Sequence, residues 1–442
     1  MSGAYSIARV RARQILDSRA APTVEADVIL ASGAAGRAAV PSGTSTGSHE
    51  ALELRDRDRP EWAGRGVQQA VDNASSIFGP AVIGLDAHDQ TAVDAALLEA
   101  DSTPGFGCLG ANAALAVSLA TARAAAAALQ RPFYAHVAEL VGSAPLLPLP
   151  MVNMISGGAH AGRNLDIQDV LAIPVGADTY GAGLEMLVRL YWSLRSLLIE
   201  LGHPPLVGDE GGFGPALGSN EAALSLVTQA MERAGLRPGE DMALALDVAA
   251  TELYQPQTGD PSHPYRLRHD DAQSLDASGM IDLVETWRRR YPLVSVEDPL
   301  AEDDWDGWQR LTARLGAGTQ LVGDDLFTTN SSRLRRGIQA GAANAILIKV
   351  NQIGTLTGTF ETLRLARQHG YRCVISARSG ETEDDWLADL AVGCGAGQIK
   401  VGSIARSERL AKYNRLLRIE EEGNPAVPYA GNIFSPSNPA SY

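Results

Sequence analysis

The stretch Asn344-Ala345-Ile346-Leu347-Ile348-Lys349-Val350-Asn351-Gln352-Ile353-Gly354 decides the fold. A short apolar run with β-branched side chains, stopped by polar residues and glycine, reads as a strand covered on both faces, the kind found in parallel sheets. It carries one amine, Lys349, to its end. A lone lysine there is as often a surface amine whose stem snorkels over apolar neighbours. Three other strand ends argue against that. Leu244-Ala245-Leu246-Asp247, Val294-Ser295-Val296-Glu297 and Gln320-Leu321-Val322-Gly323-Asp324 each finish in an acid.

Outward from this stretch, short apolar strands alternate with amphipathic helices until about Ile419, the rhythm of a parallel barrel. Strands are expected at Leu149–Asn153, Ile167–Ile173, Ala243–Asp247, Leu293–Glu297, Gln320–Asp324, Ala345–Lys349, Arg372–Ser376 and Gln398–Lys400. The interval from Asp178 to Asn220 holds a helical segment and the loop Gly208-Asp209-Glu210-Gly211-Gly212 in place of a further strand. Eight strands close a barrel, and the loops after them form its active face. The fold class is therefore α/β, a (β/α)8 barrel over 145–442 that begins with the proline-punctuated segment Pro145–Pro150. Before it, residues 1–144 read as an α+β capping domain. Its strands are Thr23–Leu30 and Arg37–Val40, and its helices Val67–Ile77, Asp89–Glu99 and Ala111–Leu129. The loop Pro41-Ser42-Gly43-Thr44-Ser45-Thr46-Gly47 has glycines that bring backbone amides near an anion and hydroxyls suited to phosphate or metal.

With 442 residues, 45% of them hydrophobic and 20% charged, the chain can bury a large core. Its formal charge of −15, with no basic tract, repels phosphate backbones and speaks against nucleic-acid binding. Cys108, Cys373 and Cys394 have no metal-ligand spacing and read as core thiols of a reducing compartment. The N-terminus lacks an apolar signal core and Arg123 interrupts the alanine-rich run after Gly110, so no membrane span and a cytoplasmic location are expected.

One barrel rim would gather Asp247, Glu297 and Asp324. Crowded carboxylates repel unless a divalent ion neutralises them, and an all-oxygen set favours Mg²⁺ or Mn²⁺ over zinc. The next strands end in Lys349 and Ser376, and the last in Lys400, so two amines flank the site. A dication and a second ammonium both disfavour a charged lysine, which can then act as a base. The matching task is removal of a proton α to a carboxylate, with the enolate held by positive charge. Glu210, in its glycine-bounded loop, is the candidate acid for a departing hydroxide.

These residues resemble the enolase (phosphopyruvate hydratase) family over almost the whole chain. Asp17-Ser18-Arg19, Val40-Pro41-Ser42-Gly43 with Ser45-Thr46-Gly47, and Leu109–Ala113 are similar to that family's capping domain. Gly208–Phe213, Ser295–Pro299, Lys349–Thr355, Arg378–Asp384 and Ala405–Asn414 are similar to its barrel. The resemblance implies a hydro-lyase with Mg²⁺ on Asp247, Glu297 and Asp324, Lys349 as base, Glu210 as acid and Lys400 gripping the substrate carboxylate. It also implies a second Mg²⁺ near Ser45, recruited with substrate, a phosphoryl group on Arg378 and Ser379, and a homodimer. His160 matches a mobile-loop histidine, and Gln168 and Ala377 stand at substrate-contacting positions.

The departures from the family pattern cluster. Its Ser-His-Arg-Ser-Gly reads Ser376-Ala377-Arg378-Ser379-Gly380, and its Gln-Glu-Phe reads Gln168-Asp169-Val170, which retracts an acid-assisting carboxylate by about 1.5 Å. Asn-Gly-Gly becomes Ser156-Gly157-Gly158, Arg-Gly-Asn-Pro-Thr becomes Arg19-Ala20-Ala21-Pro22-Thr23, and Asn-Lys-Ser becomes Gly105-Phe106-Gly107. The base and metal side is kept; the leaving-group and phosphoryl side is altered, with room expected beside Ala377. That pattern resembles the branch of the family in phosphonate antibiotic pathways, which dehydrates a carboxyphosphono (phosphonoformyl) analogue of 2-phosphoglycerate to carboxyphosphonoenolpyruvate. Ordinary dehydration of 2-phosphoglycerate is the first alternative, and a non-catalytic binding protein on the same fold the second.

Overall fold

The capping part begins with a strand that apolar alternation does not reveal. In the computed structural model, which describes residues 3–44, 47–257, 261–269, 272–423 and 426–435, β1 (Ile7–Leu16) pairs antiparallel with β2 (Pro22–Leu30), and β2 with β3 (Ala35–Ala39). Arginines break the pattern of β1. As an edge strand it turns Arg9 and Arg11 to solvent and pairs Arg13 with Glu25 and Asp27 of β2. The single helix expected over Val67–Ile77 is instead α1 (Gln68–Asn73), a π-helical turn over Ala74–Phe78, and α2 (Gly79–Val82). α3 (Gln90–Ala100) starts at an Asp89 cap whose side chain accepts from Ala92 N. α4 (Ala111–Ala128) and α5 (Phe133–Val141) follow.

By length and composition α4 could cross a bilayer, but 83% of it is buried inside the protein, against β2 and β3. Its alanines have a packing reason. A methyl group added at Gly36 of β3 would overlap the backbone of Ala120, Arg123 and Ala124, so helix and sheet meet backbone to backbone. Only small side chains allow that approach.

In the second part, the chain runs β4 (Leu149–Ser156), β5 (Asp169–Ile173), α6 (Tyr180–Glu200), α7 (Asn220–Arg233), β6 (Ala243–Asp247), a small pair β7 (Tyr265–Arg266) and β8 (Ser274–Leu275), then α8 (Ala277–Arg290). There follow β9 (Leu293–Glu297), α9 (Trp305–Leu315), β10 (Gln320–Gly323), α10 (Ser331–Ala340), β11 (Ala345–Ile348), α11 (Leu356–Gln368), β12 (Arg372–Ser376), α12 (Trp386–Cys394), β13 (Gln398–Gly402) and α13 (Ser407–Glu422). Eight of these strands close a barrel in the order β4-β5-β6-β9-β10-β11-β12-β13. Leu149, Leu171, Ala245, Val322, Leu347 and Val374 help fill its interior.

The all-parallel expectation needs one correction. β5 runs antiparallel to both β4 and β6, and begins at Asp169, two residues later than expected. The segment between β4 and β5 is too short for a crossover helix, so the chain turns straight back. This reversal has a functional result. Asp169, the first residue of β5, lies in register with Asp247, the last of β6, on the same rim.

Cys373 and Cys394 are buried as expected, whereas Cys108 is exposed. The two parts are joined where Ser42 and Gly380 exchange backbone hydrogen bonds of 2.8 Å, Trp386 Nε1 donates to Ala39 O at 3.0 Å, and Arg123 pairs with Asp384 at 2.6 Å. These contacts hold the loop after β3 over the barrel mouth.

Replacing Gly36 by alanine should destabilise the protein by about 3 kcal/mol, because the clash is with backbone and no rotamer relieves it. A lowered urea midpoint with an unchanged m-value would register this.

Candidate active site

The barrel rim alternates acids and amines. Lys400, in β13, donates to Asp247 Oδ2 at 2.7 Å and Glu297 Oε2 at 2.8 Å, which end β6 and β9. Lys349, immediately after β11, donates to Asp324 Oδ2, immediately after β10. Amides complete the ring: Gln168 Nε2 donates to Asp247 Oδ2 at 3.0 Å, and Gln352 Nε2 to Asp324 Oδ1 at 3.0 Å. The three acids and two lysines singled out in the sequence therefore meet, with the amines set among the carboxylates.

Burial makes these charges interdependent. It disfavours both ammoniums, yet Asp247 and Glu297 lift Lys400 well above its usual value, and Asp324 raises Lys349. Burial, then the neighbouring Asp247, pushes Glu297 well above the carboxylate range; Lys400 overcomes burial to lower Asp247. Asp324 thus favours the charged form of Lys349, against the lowering by Arg378 and Lys400. Glu297 Oε1 is buried without a hydrogen-bond partner. An oxygen-only donor set with an orphaned carboxylate oxygen fits a hard divalent cation. Sequence reasoning passed over Asp298, whose carboxylate accepts from Asp324 N at 3.0 Å and Asp325 N at 2.7 Å and fixes the end of β10. The acid doublets Glu297-Asp298 and Asp324-Asp325 were the available signal.

A second group gathers His160, Asp169 and Glu210, all buried, with ligand-type atoms within 4.8 Å of one another. His160 Nδ1 lies 3.5 Å from Asp169 Oδ2 and 3.9 Å from Glu210 Oε1. Asn153 Nδ2 donates to Glu210 Oε2 at 3.1 Å. Two departures from the family pattern meet here: Ser156 Oγ donates to Asp169 Oδ1 at 2.8 Å. Although burial opposes its charge, His160, then Arg409 and the lysines, hold Glu210 at a pKa of about 2. His160 is raised, its carboxylate neighbours outweighing burial, and burial raises Asp169. Glu210 is thus held toward its anionic form by the cations around it. The raised values of His160 and Asp169 favour a proton on their side of the group.

After β12, Arg378 is buried and its Nη1 donates to Glu50 Oε2 and Asn351 Oδ1, both at 2.9 Å, while Nη2 donates to Glu50 Oε1 at 3.2 Å. Ser379 Oγ accepts from Thr44 N at 2.9 Å and from Arg19 Nη1 at 3.1 Å. Ser45 lies outside the described residues. Ala377 is buried, and its amide donates to Lys400 O at 2.9 Å. Glu50, Asn351, Gln352, Thr44 and Arg19 are contributors that the strand-end pattern alone could not supply, because they come from loops.

Glu210 titrates at about 2 when folded against an ordinary 4.5. Its charged form therefore stabilises the protein above pH 4.5, and that contribution is lost as the pH falls toward 2. Glu210→Gln should accordingly be less stable than wild type at pH 6, by ~3 kcal/mol, with the gap closing below pH 4.5 in paired urea titrations.

The family model described as enolase, C-terminal TIM barrel domain, matches residues 144–437, and the one described as enolase, N-terminal domain, matches residues 7–137. With both models matched and this rim in place, the chain belongs to the enolase family.

Proposed function

We propose that the protein is a Mg²⁺-dependent hydro-lyase that removes a proton α to a carboxylate and expels hydroxide, acting on a phosphonoformyl analogue of 2-phosphoglycerate to give carboxyphosphonoenolpyruvate. The observation that carries the reaction type is the ring of Lys349, Lys400 and three acids facing the Glu210 group. In the eight-strand order, β11 and β5 stand four places apart, so Lys349 and Asp169 face each other across the mouth. A base on one side and a proton-donating group on the other suit elimination from opposite faces of a substrate.

Asp247, Glu297 and Asp324 would hold one Mg²⁺, with a second recruited with substrate near Ser45; such ions supply positive charge against a substrate carboxylate that gains negative charge. Lys349 takes the α-proton through Nζ once Asp324 no longer holds it charged, and Arg378 and Lys400 favour that neutral form. Lys400 binds the substrate carboxylate. The His160–Asp169–Glu210 group delivers a proton to the leaving oxygen, with Gln168 beside it. Arg378 and Ser379 bind the phosphorus-bearing end, the guanidinium as a planar fork.

Ala377, beside Arg378, favours the phosphonoformyl substrate, since that change falls at the phosphorus-bearing end, where the two substrates differ; Asp169 paired with Ser156 alters the leaving-group side, and the base is untouched. The retained Arg378 and Ser379 suit 2-phosphoglycerate as well, the second reading. A homodimer belongs to the proposal; Trp192, Leu201 and Leu206 are exposed apolar side chains available to an interface.

With Mg²⁺ present, the phosphonoformyl substrate should be turned over with a higher kcat/KM than 2-phosphoglycerate; the reverse order would defeat the substrate assignment. Lys349→Ala should lose solvent exchange of the α-hydrogen by about 10³-fold. No exchange in wild type with either acid would indicate a binding protein. Saturating Mg²⁺ at about 100 times its Kd should stabilise wild type by about 2.7 kcal/mol, an effect that Glu297→Gln should reduce, as read by thermal shift.

A further inference from the structure

Beside Ser379, between the two parts of the chain, lies an open cleft walled by Arg19, Ala21, Thr44, Arg55, Arg65 and Asp209. Three guanidiniums against one carboxylate is an unusual balance in a chain with a formal charge of −15. The three are not equivalent. Arg55 is committed to structure: its Nη1 donates to Pro22 O at 3.0 Å and to Arg65 O at 2.6 Å, and it pairs with Glu53. It therefore fixes the backbone of Arg65, whose own guanidinium makes no hydrogen bond or ion pair among the described residues. Arg19 is the link to the phosphoryl side. It donates through Nη1 to Ser379 Oγ at 3.1 Å and to Thr44 Oγ1, and through Nη2 to Ser42 Oγ at 2.8 Å and to buried Asp17 Oδ2 at 3.4 Å, while its buried Nε has no partner.

The cleft also explains a departure that the reaction does not. Ala20 keeps a left-handed backbone, φ 57°, at the position where the family pattern has glycine. Asp17 Oδ1 holds the turn by accepting from Arg19 N at 2.8 Å and Ala21 N at 2.9 Å. The turn is thus preserved, while the asparagine of the family pattern is cut back to the methyl of Ala21 on the cleft wall. Ala377 does not line this cleft, which is a separate opening beside Ser379.

We infer that this cleft is an anion subsite adjoining the phosphoryl pocket, in which Arg19 and Arg65 receive a carboxylate attached to the substrate's phosphorus. The inference rests on the proposed substrate and names the residues that select it. Arg65, whose guanidinium is uncommitted, offers a planar donor set to a carboxylate, and the positive charge of Arg19 adds attraction that a substrate without that carboxylate cannot use.

The test needs no turnover. Phosphonoformate carries a carboxylate on phosphorus, and methylphosphonate has a methyl group in its place. Titrated calorimetrically into the full-length protein with saturating Mg²⁺, phosphonoformate should bind at least 10-fold more tightly than methylphosphonate. Arg65→Ala should erase most of that preference and leave methylphosphonate affinity unchanged. Ala21→Asn, which refills the wall, should do the same, and Arg19→Lys should weaken phosphonoformate more than methylphosphonate. Equal affinities in wild type, undetectable phosphonoformate binding, or an equal loss for both probes in the variants would overturn the subsite. Turnover assays judge the substrate proposal separately: a protein that dehydrates the phosphonoformyl substrate but fails this binding test keeps its function and loses this subsite.

Discussion

The ammonium of Lys400, wedged between Asp247 and Glu297, is the contact on which the barrel mouth depends. Its Nζ lies in the interior, where an unpaired charge would be prohibitive, and it is stable there only because two carboxylates face it. Those carboxylates are tolerable only because the amine is there. Lys349 and Asp324 repeat the arrangement on the next strands. Breaking either unit by removing one partner would strand the other, at a cost on the order of 3–5 kcal/mol. Glu297 remains the weak link, with one oxygen unpartnered and its pKa driven up by burial and Asp247. The site is thus poised for one more positive charge.

The capping part supplies what a rim of strand ends cannot. Glu50 reaches from its loop to the guanidinium of Arg378 and accepts from Gln352 Nε2 at 3.2 Å, while Gln352 also holds Asp324. One buried amide therefore connects the loop, through Glu50 to the buried Arg378, with an acid of the rim. Displacing the loop would disturb all three together, because hydrogen bonds inside a protein cannot be exchanged for water without moving their neighbours.

The barrel strands were legible because each is a short apolar run ending in a chemically distinctive residue. Periodicity could not reveal the reversal of β5, since the side-chain pattern of a buried strand is the same in either direction. β1 escaped notice because an edge strand tolerates arginines where a central one would not. Within the site, Asp247, Glu297, Asp324, Lys349 and Lys400 could be named from strand ends alone. The charge state of Glu210 could not, for it depends on His160 and Arg409, far away in sequence. Arg19 and Glu50 were hidden for a similar reason: their partners come from the other half of the chain.

The hydrogen bond from Ser156 to Asp169 has a consequence for how such a site can change. Lengthening the acid at 169 or restoring the amide at 156 would each change the partner that the other position meets. The two positions are therefore coupled: the effect of reverting either one depends on which residue stands at the other, so the order of changes matters along any path back to the family's pattern.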